Sequence, residues 1–161
     1  MKKKALIAVI LLVSLTTTTG QTLSLEEIFS IREMDSVALS KFCFEKGFRV
    51  KQKKEDNWIY SYSYSSSTNN SIWFIRTFPK DTNGIKYVYY YYTDSKTQKE
   101  FKKLIKEKKF KLKGVDSREY GGNVFTHNIY FKDNDKIDLV TEKPMRQKMK
   151  YTLITRKKRI N

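Results

Sequence analysis

Trp58-Ile59-Tyr60-Ser61-Tyr62-Ser63-Tyr64 is the stretch on which the fold turns. Aromatic residues fall at every second position, separated by isoleucine and serine. A period of two sends alternate side chains to opposite faces of an extended chain, so the segment reads as a strand. Two further β-rich stretches follow, Ser71 to Phe78 and Ile85 to Thr93. Between them Pro79-Lys80-Asp81-Thr82-Asn83-Gly84 has turn chemistry, which predicts an antiparallel pair. Ser65 to Asn70 is a polar loop.

Outward from these strands the period changes. Ser24-Leu25-Glu26-Glu27 fits a helix-starting capping box, with Leu25, Ile28 and Phe29 opening an apolar stripe. Asp35-Ser36 marks a second helix start. Leu39, Phe42 and Cys43 continue it at helical spacing, and Gly47 is placed to end it. Residues 24–47 are therefore two short helices or one bent helix. After Asp94-Ser95, Phe101, Leu104 and Ile105 form one face of another helix, opposite a set of lysines. Strand-like stretches follow at Lys111–Ser117, Asn123–Phe131, Lys136–Thr141 and Lys148–Arg156. Asp133-Asn134-Asp135 supplies a turn, and Pro144 breaks the last connection.

The two halves resemble each other. Laying Phe48 on Phe110 matches Leu39 with Phe101, Cys43 with Ile105, Glu45 with Glu107 and Lys46 with Lys108. Ser71-Ile72-Trp73-Phe74 pairs with Asn128-Ile129-Tyr130-Phe131, and Tyr87-Val88-Tyr89 with Tyr151-Thr152-Leu153. The offset drifts between about 57 and 64 residues, as loops of unequal length require. The expected fold is α+β: a tandem repeat of helix plus three to four antiparallel strands, spanning 24–93 and 94–158. One antiparallel sheet would carry the helices on one face, because each helix has a single apolar stripe to bury.

In the last strand Met149, Tyr151 and Leu153 alternate with Lys150, Thr152 and Arg156, so the second set should face water. Carrying that phase to the first repeat buries Ile85, Tyr87, Tyr89 and Tyr91 and opens Lys86, Val88, Tyr90 and Tyr92. Ile72 and Phe74 go inward by the same logic. The candidate partner-binding face is then Trp73, Ile75, Tyr90, Tyr92 and Tyr130. A slip of one residue would invert it. In architecture the doubled unit resembles the β-lactamase inhibitory protein and related periplasmic modules. That resemblance implies an open sheet face presented to a protein partner, and it carries no individual residue.

The ends and the composition address location. Lys2, Lys3 and Lys4, the apolar run Ala5–Leu15 and the small polar Thr16–Gly20 read as a secretory signal peptide over residues 1–20, removed before Gln21. The apolar run is well short of the ~20 residues of a membrane-spanning helix. Residues 21–161 form a single domain, periplasmic or secreted and of bacterial type. The 33 basic residues less the three lysines of the signal, against 17 acidic ones, leave a net charge of +13. Cys43 is the only cysteine, so there is no disulfide partner inside the chain and stability must come from packing.

Motifs for chemistry are sparse. His127 is the only histidine and would need Cys43 brought to it from the other repeat to act as a nucleophile's base. No HExxH, CxxC, GxSxG or phosphate-loop spacing occurs. Asp133-Asn134-Asp135 with Asp138 lacks the glycine and distal glutamate of a calcium loop. No catalytic, cofactor-binding or metal-binding residue is assigned, and an enzyme is not expected. The expectation is an exported, non-catalytic module that binds a protein or ligand through its aromatic sheet face. The alternative is a polyanion-binding envelope protein, whose lysines would attract DNA, anionic glycans or a membrane surface. In a eukaryotic host Asn69-Asn70-Ser71 would accept a glycan.

Overall fold

Each of the three helices among the described residues begins on a side-chain cap. In the computed structural model, which describes residues 22–56, 59–67, 72–79, 86–145 and 147–157, Ser24 opens α1 (Leu25–Glu33). The Ser24 N–H donates to the Glu27 carboxylate at 2.7 Å, and the Glu27 N–H donates to Ser24 Oγ at 3.2 Å. This reciprocal box satisfies two donors that a helix start otherwise leaves open. Asp35 caps α2 (Ser36–Glu45) through the Ala38 N–H at 2.8 Å. Asp94 caps α3 (Ser95–Glu107) through the Thr97 and Lys96 N–H groups. The export signal, Trp58, Ile85, the 80–84 connection and the Asn69-Asn70-Ser71 site lie outside the described residues.

The strands are β1 (Phe48–Glu55), β2 (Ile59–Ser66), β3 (Trp73–Pro79), β4 (Tyr87–Tyr92), β5 (Lys111–Tyr120), β6 (Asn123–Lys132), β7 (Asp135–Lys143) and β8 (Lys150–Lys157). They form one antiparallel sheet in the order β1-β2-β3-β4-β8-β7-β6-β5. Each half is a four-strand meander, and the two meet where β4 pairs with β8. The β5–β6 turn is Gly121-Gly122, with φ of 58° and 76°. A two-residue hairpin of this twist needs left-handed backbone at both positions, which glycine adopts without steric cost. β1 has no counterpart among the predicted strands. Only Phe48 along it is buried, so its lysine-rich sequence carries no alternation to read.

The duplication is visible in detail. α2 and α3 end at Lys46 and Lys108, and the next residues, Gly47 and Lys109, have φ of 64° and 63°. The first strand of each half is then interrupted at the same place, between Val50 and Gln52 and between Leu112 and Gly114. Two matches drawn from the sequence need correction. Of the stretch matched with Asn128–Phe131, Ile72–Phe74 leads into the third strand of its half, whereas Asn128–Phe131 lies in the second strand of the other. The register places Tyr87 opposite in role to Thr152 rather than Tyr151, a one-residue slip.

α1 belongs to neither repeat. It lies over β4 and β8 at the seam, and each half ties to it by the same lysine. Lys46 Nζ is 2.5 Å from the Glu27 carboxylate, and Lys108 Nζ is 2.6 Å from that of Glu26. The Lys108 contact holds the Glu26 carboxyl below its ordinary range. Burial alone would raise Glu27, but the Lys46 ammonium and the Ser24 N–H outweigh it and lower it too. Arg32, also on α1, is buried and reaches Asp135 at the start of β7 at 2.7 Å. Arg76 on β3 donates to the carbonyls of Met34 and Arg32, fixing the α1–α2 link to the sheet.

Helices and sheet enclose a single core of Leu25, Ile28, Ile31, Leu39, Phe101 and Ile105 from one layer and Phe74, Val88, Tyr90, Ile137, Leu139 and Leu153 from the other. Here the phase expected for β4 is overturned. Tyr90 and Tyr92 are 0% and 1% exposed, and Val88 is buried beside them. The Leu23 N–H donates to the Tyr90 hydroxyl at 3.1 Å, and the Tyr92 hydroxyl donates to Gln98. A tyrosine can be fully interior when its hydroxyl finds such a partner. Burial pushes the Tyr90 phenol up to about 12. Tyr130 is likewise corrected: it pairs with buried Ile137 and packs against the core. Ile72 and Phe74 are buried as expected.

Candidate binding face

The sheet face away from the helices is set by the registers. Three rows cross it from β1 to β5. The first is Arg49, Ser65, Trp73, Tyr91, Thr152, Val140, His127 and Asp116. The second is Gln52, Ser63, Ile75, Tyr89, Ile154, Asp138, Ile129 and Gly114. The third is Lys54, Ser61, Thr77, Tyr87, Arg156, Lys136, Phe131 and Lys111. Of the residues expected on a partner-binding face, Trp73 and Ile75 lie here, half-buried. Tyr90, Tyr92 and Tyr130 do not. On β4 the open positions are Tyr87, Tyr89 and Tyr91, the alternate members of the strand, and on β6 they are His127, Ile129 and Phe131.

An apolar band runs along the middle. The Trp73 and Tyr91 rings are stacked, with centroids 3.7 Å apart and planes 8° from parallel. Tyr87 and Tyr89 stack at 6.0 Å. Ile75, Tyr89 and Ile154 lie side by side across β3, β4 and β8. Burial raises the phenol pKa of both Tyr89 and Tyr91 above the ordinary value. Both hydroxyls therefore stay protonated at neutral pH and serve as neutral donors and acceptors.

On the β1 side of this band the surface drops into a trough of 280 Å³. Its walls are Trp73 and Ile75 on β3 and Lys51, Gln52 and Lys54 on β1, and its floor is Ser61 and Ser63 on β2. The local reason is side-chain size: between two strands of long side chains, β2 offers only hydroxymethyl groups. Lys51 enters the trough because the interruption after Val50 re-aims that part of β1. A smaller pocket of 170 Å³ sits across the band, lined by Tyr87, Tyr89, Ile154, Lys136, Asp138 and Arg156.

His127 is on this face and Cys43 is not. Cys43 is buried in the core under α2, where burial raises its thiol pKa to about 11, so the sheet separates the two. His127 Nδ1 lies 3.1 Å from the Asp138 carboxylate. Its cross-strand neighbours are Asp116 and Val140, neither of which carries a hydroxyl or thiol. Asp133 takes φ of 50° in the turn, Asp135 faces Arg32 and Asp138 faces His127, so the run of acids is divided among three roles. Among the described residues no group of three or more His, Cys, Asp and Glu is placed to hold a metal ion, and no helix is long and apolar enough to cross a membrane. Comparison of the chain with protein-family models, curated proteins and solved structures gives no match, so the character of this face rests on its own residues.

Proposed function

We propose that the protein is an exported, non-catalytic binding module that engages its partner with the helix-free face of the sheet. The observation that carries this reading is the contiguous band of Trp73, Ile75, Tyr89, Tyr91 and Ile154, on a surface that no helix among the described residues covers. Scattered apolar residues on a surface need no explanation, but a continuous aromatic band flanked by charge does. Tyrosine and tryptophan suit such a role because they supply large rigid contact area together with a hydrogen-bonding group. The export part rests on the basic, apolar and small-residue segments of residues 1–20. The non-catalytic part rests on His127, which is held by the Asp138 carboxylate and has no serine, threonine or cysteine as a cross-strand neighbour.

The test is retention of envelope components by the immobilised mature protein. A folded variant carrying Trp73→Ser, Tyr89→Ser and Tyr91→Ser should lose what the wild type retains. Equal retention by both would remove this face as the site. N-terminal sequencing of the protein from fractionated cells should begin near Gln21, and a chain starting at Met1 in the cytoplasm would contradict export.

A further inference from the structure

We infer that the trough between β1 and β3 is a subsite for an acidic oligosaccharide, a sugar chain bearing carboxylate groups. The inference rests on the reading of the open face as the binding surface, and it names the chemistry of the ligand there. Three features of the trough converge. Tyr91 on β4 stacks on the Trp73 indole, and on the β2 side of β3 the same Trp73 lines the trough beside the two serines. A flat, electron-rich ring in this position packs against the C–H face of a pyranose. Ser61, Ser63 and Gln52 each carry groups that both donate and accept hydrogen bonds, the match for sugar hydroxyls, which do the same. Lys51 and Lys54 line the outer wall, and no carboxylate lines the trough or pairs with either of them among the described residues. Their ammonium groups are complementary to an anion.

Two other polyanions fit less well. An acidic peptide in extended form satisfies its backbone by pairing with a free strand edge. The trough lies on the sheet face inside the edge strand β1, where β2 and β3 have already used their backbone groups on each other. Single-stranded nucleic acid binds along successive exposed aromatic platforms beside a cationic track. Here Trp73 stacks on Tyr91 and Tyr87 on Tyr89, which leaves one indole at the trough rather than a series.

The experiment titrates the mature protein with a hexamer of galacturonic acid. Controls are a neutral galactose hexamer, hexaglutamate and oligothymidylate, all followed by calorimetry and by the Trp73 indole N–H signal in NMR. The expected result is saturable binding of the galacturonate hexamer with a Kd of about 1 mM or tighter, and at least tenfold weaker binding of the controls. Lys51→Glu with Lys54→Glu should weaken binding by about tenfold or more, and by less as salt rises. Those positions are exposed on an edge strand, so the substitutions leave the core packing intact. Lys136→Glu with Arg156→Glu, across the band, should change binding less than about twofold if charge alone is not the determinant. Three results would overturn the inference. They are no saturable binding, equal binding by the Lys51/Lys54 variant, and binding of hexaglutamate or oligothymidylate at the same residues as tightly as the sugar. If the hexamer fails while the triple variant of the open face still loses its partner, the subsite falls and the binding-face reading stands. If neither depends on this face, both fall.

Discussion

The two halves of the sheet share a scaffold and differ on the face they present. Their framework features correspond closely: buried Leu39 with Phe101 and Cys43 with Ile105, Lys46 at one helix end with Lys108 at the other, and the same strand interruption after Val50 and Leu112. On the open face the correspondence dissolves. Where the second strand of the first half carries Ser61, Ser63 and Ser65, that of the second half carries His127, Ile129 and Phe131. Trp73 and Ile75 correspond to Lys136 and Asp138. Large residues occupy the corresponding place in the second half, with Lys136 Nζ 5.9 Å over the Phe131 ring and Asp138 against His127. The first half keeps a trough. Packing constrains the helix side of each half in the same way, while the outer face answers to nothing in the core and is free to specialise.

The largest effect expected separates the two sides of β4. Tyr90→Ser should cost about 3–5 kcal/mol in denaturant unfolding, because it opens a cavity under α1 and strands the Leu23 N–H. Tyr89→Ser, one residue away on the open face, should cost about 1 kcal/mol. Equal losses would mean the two faces of β4 are not distinguished as described.

Much of this fold was legible in the sequence. The capping box at Ser24, the aspartate caps, the alternating strands and the repeated helix end each follow from local chemistry, and all are present. What failed was phase. In Tyr87-Val88-Tyr89-Tyr90-Tyr91-Tyr92 tyrosine occupies both faces, so alternation alone could not say which face is buried. The phase was borrowed from β8 through an alignment one residue out, and every side chain changed sides with it. Of the five residues expected on the open face, Trp73 and Ile75 lie on it, and Tyr90, Tyr92 and Tyr130 lie on the core side. The trough itself could have been suspected from serine at alternate positions of β2, but only next to a strand that is not readable from its own sequence. β1 buries Phe48 alone, so its lysines read no differently from an ordinary solvated run.

The next effect concerns the helix ends. Gly47 and Lys109 occupy equivalent left-handed positions. Gly47→Ala should destabilise by about 1 kcal/mol, and Lys109→Gly should stabilise by about the same amount. Unchanged stability in both variants would break the equivalence of the two ends.

The smallest effect tests the seam. Lys46→Met and Lys108→Met should each cost about 0.5 kcal/mol at neutral pH, by loss of part-exposed ion pairs. Glu26 and Glu27 titrate below their ordinary value of 4.5 in the folded protein, so their contribution is complete above that pH and falls away as acid protonates them in the folded state. The double lysine variant should thus lose less stability than the wild type on moving from neutral pH to below about pH 4. Parallel acid profiles for the two proteins would contradict these contacts.

The difference between the halves is tested most directly by erasing it. Ser63→Ile installs in the trough floor the residue that its counterpart, Ile129, supplies in the second half. The fold tolerates isoleucine at that position of the sheet, so stability should hold or rise by up to about 1 kcal/mol. Affinity for the galacturonate hexamer should fall by about tenfold or more as the space for the ring is filled. A stable Ser63→Ile protein that binds the hexamer as tightly as the wild type would contradict the assignment of the trough as the binding site.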